Sequence, residues 1–193
     1  MKFKYLTIFI VAFALTLTNC KKEDNVETDP NATISEVEFY TSMGDFTVQT
    51  EDKLAPITSK NFLKLVNQKF YDGIIFHRVM QNFIVQGGDP TGTGSGGPGY
   101  TIDDEFNLDL SNTEKTISMA NTGAANSGGS QFFFNMKDNS FLDSDKAPTS
   151  SAHAVFGKVI SGWSIVQSIS NVAVNSSNKP NVDVVIDSIR KIN

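Results

Sequence analysis

The chain has 193 residues and a formal net charge of −5, a length that suffices for one ordinary domain with a sizeable core. No cluster of lysine and arginine is interleaved with aromatic residues, so the composition argues against a surface that binds nucleic acid. The single cysteine excludes an intramolecular disulfide as a stabilising element of the fold.

The first 20 residues are predicted to be a signal rather than part of the fold. A positively charged start is followed by the apolar run Tyr5–Leu17, which is short for a membrane-spanning helix. The run ends in Leu17-Thr18-Asn19-Cys20, which resembles a bacterial lipoprotein signal, although a small residue is usual where Asn19 stands. That resemblance implies removal of residues 1–19 and attachment of a lipid to the sulfur of Cys20.

Residues 20–33 are predicted to form a polar tether, because they are rich in charge and show no hydrophobic periodicity. Their reach of roughly 20 Å would hold a water-soluble domain just off a membrane surface. By the lipoprotein resemblance, the expected location is the bacterial cell envelope, where the chain would be lipid-anchored and extracytoplasmic, either periplasmic or associated with the outer membrane. Plain secretion with an unmodified Cys20 thiol is the alternative interpretation.

Alternating hydrophobic residues predict a β-hairpin from Ile34 onwards. Val37 and Phe39 alternate with polar neighbours before a turn at residues 42–45, and the alternation then resumes at Phe46, so one face of the hairpin is expected to be buried.

An amphipathic helix is predicted next. Pro56 suits the first turn of a helix, and apolar residues follow at helical spacing until Asp72-Gly73 ends the pattern. The helix would cover one end of a sheet. Its apolar positions are Phe62, Leu65, Val66 and Phe70.

Residues 87–99 contain seven glycines, a composition that phosphate-binding loops share. Such a loop ends in Gly-Lys-[Ser/Thr], whereas the one Gly-Lys pair, Gly157-Lys158, is followed by Val159. A wandering surface loop is therefore favoured. The acidic triplet Asp103–Glu105 favours a solvated loop over a metal site, because three consecutive side chains diverge and no second cluster of ligands accompanies them.

The second half of the chain predicts four further short strands and a second helix. The strands are expected at residues 116–120, 131–134, 153–160 and 182–192. The helix opens after Gly162 and is expected to bury most of its apolar residues, which are Trp163, Ile165, Val166 and Ile169. No internal repeat divides the chain, so residues 34–193 are predicted to form one domain.

The stretch Phe76–Asp89 places one arginine, glutamines and several apolar side chains on two short extended runs joined by a polar turn. Alternate residues of a strand share a face, so Arg78 is expected on the same face as Phe76 and Met80. Two downstream motifs, 118–121 (Ser-Met-Ala-Asn) and 129–133 (Gly-Ser-Gln-Phe-Phe), follow in order. With these three motifs the chain resembles the cyclophilins, which are peptidyl-prolyl cis-trans isomerases.

The resemblance covers residues 34–193 and implies a mostly-β fold: a closed eight-stranded antiparallel barrel capped by two α-helices. It implies an isomerase of X-Pro bonds that works without a cofactor or a metal ion. The expected partners are X-Pro-containing polypeptides and, through the lipid on Cys20, a membrane. The chain is expected to be a monomer.

By the same resemblance, Arg78, Phe83 and Gln86 are the catalytic residues, with Arg78 as the donor to the proline nitrogen. Apolar residues would form the proline pocket, the main chain of Asn121 would pair with the peptide, and Gln131 with Ala120 would shape the groove for preceding residues. The residues assigned to substrate binding are Ile84, Ala120, Asn121, Gln131, Phe133, Phe141, Leu142 and His153.

Several features depart from the common pattern of the family, among them Thr122, which replaces the usual small residue after the Asn, and the loop at residues 144–151, which is longer than the shortest family versions. Ile84 stands where methionine is commonest, and Phe141 stands where many eukaryotic members carry tryptophan. Neither change removes the proposed chemistry.

Two other functions stay open: a module that holds proline segments without isomerising them, and a hydrolase. Against a hydrolase, the chain has no Gly-x-Ser-x-Gly motif and no cysteine inside the domain. His77 is expected on the face opposite Arg78, in a structural role.

Overall fold

The computed structural model describes residues 34–146, 148 and 151–193. The predicted signal peptide at 1–19, the lipidation site Cys20 and the tether at 20–33 all lie outside the described residues. Within the ranges that are described, no helix combines the length and the apolar character needed to cross a membrane.

A single antiparallel sheet of nine strands forms the domain. Its order is β3-β9-β1-β2-β8-β6-β7-β5-β4. In chain order the strands are β1 Ser35–Thr41, β2 Phe46–Thr50, β3 Ile74–Ile75, β4 Arg78–Met80, β5 Ile84–Gly87, β6 Thr116–Met119, β7 Phe132–Asn135, β8 Val155–Ser161 and β9 Val185–Lys191.

The prediction of a closed eight-stranded barrel is wrong, because β3 and β4 stand at the two ends of the strand order and do not pair with each other. The sheet is a curled half-barrel. The edge of β4 bonds to another segment instead: the Val79 amide donates to the Asn178 carbonyl at 2.8 Å, which occupies a donor that closure would need. At the other end, the Phe76 amide donates to the Val184 carbonyl at 3.0 Å and continues the pairing of β3 with β9.

The break between β3 and β4 also overturns the predicted grouping of Phe76 with Arg78. Phe76 is fully buried in the main core, whereas Arg78 and Met80 are half-buried on the other side. Residues 76 and 77 leave the ladder between the two strands, so the alternation of faces starts again at Arg78. The last strand likewise starts later than predicted, and Val182 is 81 % exposed.

Both predicted helices are confirmed, as α1 Pro56–Asn67 and α2 Trp163–Ser170, and a 3₁₀ turn spans Ser140–Leu142. Gly162 precedes α2 with a φ of 72°, and a Cβ there would lie 2.6 Å from the Asp45 carbonyl oxygen. Only glycine fits that approach.

The main core lies on one face of the sheet and is dominated by aromatic rings in edge-to-face and stacked contacts. On β7, Phe132 and Phe134 point into this core, and Phe133 between them points the other way. Phe133 belongs to a second, smaller apolar cluster. That alternation is what positions the candidate site on the outer face of the sheet.

Candidate active site

The second apolar cluster is built by residues of two strands and the 3₁₀ turn. Ile84 of β5, Phe133 of β7 and Leu142 of the 3₁₀ turn are buried against one another. Met80, Phe83 and Ala120 pack around them as partly buried neighbours. The cluster is the candidate for the apolar pocket that the resemblance predicts, and its lining suits a compact ring.

Two aromatic side chains stand at the rim of this pocket. The ring of Phe141 is 55 % exposed and stacks on Phe83, with ring centroids 6.2 Å apart and an interplanar angle of 13°. The imidazole of His153 meets Phe133 edge-on, at 5.1 Å between centroids. Aromatic rings therefore line the rim of the candidate pocket.

His153 is fixed by its own backbone and by its ring. Its amide donates to the Leu142 carbonyl at 3.0 Å, and Nδ1 lies 3.0 Å from the Met119 carbonyl oxygen. A carbonyl only accepts, so the proton of the neutral ring sits on Nδ1. Burial lowers the pKa of His153, against the opposing effects of the Met119 carbonyl and the Asp104 carboxylate.

A row of polar side chains runs along the sheet beside the pocket. The register places Arg78 opposite Gln86 on the paired strands β4 and β5. Arg78 Nη1 donates to Gln86 Oε1 at 3.2 Å, and Gln86 Nε2 donates to Gln131 Oε1 at 3.0 Å. A guanidinium has five N–H donors, so Arg78 keeps donors for a ligand after it has bonded Gln86.

A groove of about 270 Å³ continues from this row and includes Ala120, Asn121 and Gln131 in its walls. The Asn121 side chain is tied down, since Nδ2 donates to the Ala152 carbonyl at 2.8 Å and Oδ1 accepts from the Gly123 amide at 3.0 Å. Its backbone N–H and C=O have no partner among residues 34–146, 148 and 151–193. They are free to pair with an extended peptide.

The structure thus brings together all eleven domain residues that the sequence assigned to the site, around one pocket and one groove. Their individual roles stay predictions. His77 lies apart from this group, buried, and neither of its ring nitrogens has a hydrogen-bond partner in the described part of the chain. In that same part of the chain, no three His, Cys, Asp or Glu side chains cluster as metal ligands would.

Sequence reasoning missed a layer of buried polar residues beneath the pocket. Asn139 Nδ2 donates to the Phe83 carbonyl at 3.0 Å and to Asn135 Oδ1 at 2.9 Å, and Asn112 Nδ2 donates to Asp143 Oδ1 at 2.9 Å. These bonds hold the chain segments that carry Phe83 and Leu142. The one signal in the sequence was Asn135, a polar residue closing an otherwise apolar run.

Comparison with known proteins gives concordant matches. The family model "Cyclophilin type peptidyl-prolyl cis-trans isomerase/CLD" matches residues 36–191. The peptidyl-prolyl cis-trans isomerase CYP18-2 of Arabidopsis thaliana is 41 % identical over 155 residues, which cover 78 % of this chain and 90 % of the plant protein. Peptidyl-prolyl cis-trans isomerase-like 1 of Aspergillus niger is 43 % identical over 150 residues, which cover 76 % of this chain and 88 % of the fungal protein.

A solved structure agrees with these matches. The crystal structure of a cyclophilin type peptidyl-prolyl cis-trans isomerase from Cryptosporidium parvum superimposes with a TM-score of 0.77 at 32 % identity. The match covers 83 % of this chain and 98 % of that one.

Proposed function

The chain belongs to the cyclophilin-type peptidyl-prolyl cis-trans isomerase family, and from that premise we propose that it catalyses X-Pro rotation by stabilising the twisted amide without any covalent step. The observation that carries the proposal is the Arg78 guanidinium, held by Gln86 beside a small apolar pocket.

The physics of the reaction defines what the site must supply. Rotation is opposed by amide resonance, with a barrier of roughly 18–20 kcal/mol, while the two isomers at proline differ by only about 1 kcal/mol. The proline nitrogen regains its lone pair only when conjugation is broken. A donor aimed at that nitrogen therefore stabilises the twisted state more than either planar state, and this lowers the barrier.

The apolar pocket is assigned to the proline ring. Ile84, Phe133 and Leu142 would surround the ring, and Phe83 with Phe141 would close over its edge. Removing the ring's three CH₂ groups from water contributes about 2 kcal/mol of binding free energy. Because these side chains offer no hydrogen-bonding group, the pocket would hold the ring without bonding the preceding carbonyl.

Arg78 is assigned to the proline nitrogen. It lies on β4 two residues from Met80, which packs on the pocket, so both side chains are on the same face. The bond to Gln86 sets the plane of the guanidinium, and its charge strengthens the hydrogen bond that it donates. Asn121 would add the substrate backbone as a short strand, and the groove beside Gln131 and Ala120 would take the preceding residues.

A coupled assay on a short X-Pro peptide tests this function. The protein should accelerate cis-to-trans relaxation in proportion to its concentration above the uncatalysed rate. Peptide binding, measured separately by titration, should saturate over the same concentration range as the catalysis. Saturable binding with no acceleration would instead show a module that holds proline segments without isomerising them.

We further propose that a lipid on Cys20 anchors the chain in the bacterial cell envelope, with residues 20–33 as the tether and residues 34–193 as the catalytic domain. Support comes from the sequence Leu17-Thr18-Asn19-Cys20 and from the absence of any other cysteine. The family match begins at residue 36, so the anchor rests on the amino-terminal sequence alone.

The anchor is tested with Cys20→Ser. This variant should move from the membrane fraction to the soluble fraction and keep the isomerase rate of the unmodified sequence. Finding the original chain already soluble, with a free thiol or a cut at another position, would contradict the proposal.

A further inference from the structure

Asp89 is a buried carboxylate on the glycine-rich loop that follows β5. It is only 1 % exposed, and a buried carboxylate is costly unless hydrogen bonds replace its hydration. Oδ1 accepts from the Thr91 amide at 2.7 Å and from the Thr91 hydroxyl at 2.8 Å. Oδ2 accepts from the Thr93 amide at 3.1 Å and from the Gly94 amide at 2.5 Å. Four donors from residues 91–94 thus wrap one carboxylate.

The turn folded by this carboxylate presents two carbonyl groups to the active site. Gln131 Nε2 donates to the Gly94 oxygen at 3.0 Å and to the Gly96 oxygen at 2.9 Å. Both protons of that amide nitrogen are then used, and the amide cannot rotate by half a turn without losing both bonds.

The hydrogen bonds from Gln131 to the loop also determine how the side-chain amides of Gln131 and Gln86 are oriented. With Nε2 of Gln131 held by the loop, its Oε1 faces Gln86 and accepts from Gln86 Nε2 at 3.0 Å. Gln86 must then turn its own Oε1 toward Arg78, where it accepts from Nη1 at 3.2 Å. If Gln131 flipped, Gln86 would have to flip as well, and an NH₂ group would face the guanidinium as donor against donor.

We propose that Asp89 is a positioning residue for the isomerase reaction: its carboxylate shapes the glycine loop so that the loop fixes both glutamine amides and, through them, the Arg78 guanidinium. This inference rests on the proposed function of Arg78. Asp89 does not touch the pocket, so its effect on the reaction is transmitted through Gly94, Gly96 and Gln131.

The sequence of the loop fits this role. A Cβ at Gly96 would lie 2.1 Å from Asp89 Oδ1 and 2.9 Å from the Thr91 side chain, so only glycine lets the carboxylate approach. Burial alone would raise the pKa of Asp89, but the hydrogen bonds from the amide and hydroxyl of Thr91 and from the Gly94 amide, together with the nearby Gly96 amide, lower it to about 2. The carboxylate is therefore ionised at every pH used for an isomerase assay.

Asp89→Asn tests the inference in the full chain. The variant keeps the size of the side chain but replaces one oxygen by an NH₂ group that faces N–H donors. The hydrogen bonds that this oxygen accepted are therefore lost. We expect kcat to fall about tenfold or more while KM for an X-Pro peptide changes less than about twofold, because the arginine is misplaced and the pocket is intact. Asp109→Asn, the same charge change at an exposed loop position, should leave both constants unchanged.

A double-mutant cycle separates positioning from a general structural role. In a Gln131→Ala background, Asp89→Asn should lose most of its effect on kcat, since both changes break the same series of hydrogen bonds between the loop and Arg78. Independent, multiplicative losses would overturn the inference. If Asp89→Asn does not fold, Gly96→Ala provides the same test, because its methyl group displaces the carboxylate without changing any charge. Gly96→Ala should likewise lower kcat with little change in KM.

The cycle also distinguishes this inference from the function on which it rests. If Arg78→Ala is nearly inactive but Asp89→Asn, or Gly96→Ala in its place, retains full kcat, only the role of Asp89 is contradicted. If Arg78→Ala keeps full kcat, the proposed function itself is contradicted, and the inference is withdrawn with it.

Discussion

The domain contains two histidines, His77 and His153, and burial lowers the pKa of each below its ordinary value of about 6.5. For His77 the Asp89 carboxylate opposes the shift, and for His153 the Met119 carbonyl and Asp104 do so. Both imidazoles are therefore neutral at and above neutral pH. With an ordinary pKa, His153 would affect the rate near a pH of about 6.5, and the lowered pKa moves any such effect to more acidic pH.

The isomerase rate should consequently be flat between about pH 6.5 and 8, because the proposed mechanism transfers no proton. Relaxation of an X-Pro peptide followed by NMR, without a coupling protease, measures this free of the protease's own pH profile. The uncatalysed relaxation at each pH is the control. A steep bell-shaped profile would show general acid–base chemistry and would contradict the mechanism.

The same histidines make stability depend on pH. Below a pH of about 6.5 the unfolded chain takes up protons at both histidines that the folded chain resists, so the free energy of unfolding should decrease as the pH falls from 7.5 to 5.5. Asp89, with its pKa of about 2, contributes in a separate window, below a pH of about 4. Urea unfolding of the original chain and of His77→Leu measures the first window.

His77→Leu should show a smaller decrease between pH 7.5 and 5.5, because one of the two groups that take up a proton on unfolding is gone. An equal or larger decrease would mean that the buried His77 ring does not resist protonation in the folded state.

At the level of the elements, helix α1 depends on a residue from another segment. It has no side-chain cap of its own and no acidic residue in its first turn. The Glu105 carboxylate supplies the missing acceptors, at 3.0 Å from the Ile57 amide and 2.9 Å from the Thr58 amide. The triplet Asp103–Glu105 is thus more than a solvated loop, because Glu105 caps a helix with a charge that suits its N-terminus.

Glu105→Ala should lower the free energy of unfolding by about 1 kcal/mol, since two amides lose their acceptor and the helix loses a favourable charge. Denaturant unfolding measures the change, and Glu114→Ala at an exposed position is the matched control. A loss no larger than that of Glu114→Ala would show that the capping bonds contribute nothing measurable.

The elements that the sequence predicted well are those with a local pattern. Alternation gave the β1–β2 hairpin, and helical spacing after Pro56 gave α1. The division of residues 74–80 into β3 and β4 could not be read in this way. It depends on amide bonds from Phe76 and Val79 to residues about 100 positions further along the chain.

At the scale of the whole molecule, the main core and the candidate site lie on opposite faces of one sheet. The aromatic core fills one face, and the pocket and polar row occupy the other. The residues assigned to the pocket were identifiable because they lie in short runs with a family pattern. Asn112 and Asn139 were not, because their partners come from other segments: Asn112 bonds Asp143, 31 residues away, and Asn139 bonds the Phe83 carbonyl, 56 residues away. Asp89 bonds its own loop, and the sequence does not show that this loop in turn bonds Gln131.

The measurement that tests the central claim most directly is the exchange rate of a bound X-Pro peptide between cis and trans, determined by NMR together with its Kd. In Arg78→Ala this rate should fall by a hundredfold to a thousandfold, or about 3–4 kcal/mol, while Kd changes little, because the donor acts mainly on the twisted state. Arg78→Lys should restore the rate only in part, since an ammonium lacks the planar fork that bonds Gln86 and the proline nitrogen together.

Arg190→Ala, which removes a surface arginine paired with Asp72, should leave both the exchange rate and Kd unchanged. A near-normal exchange rate in Arg78→Ala, or equal losses of rate and affinity, would show that Arg78 binds or supports the structure, and the proposed mechanism would be contradicted.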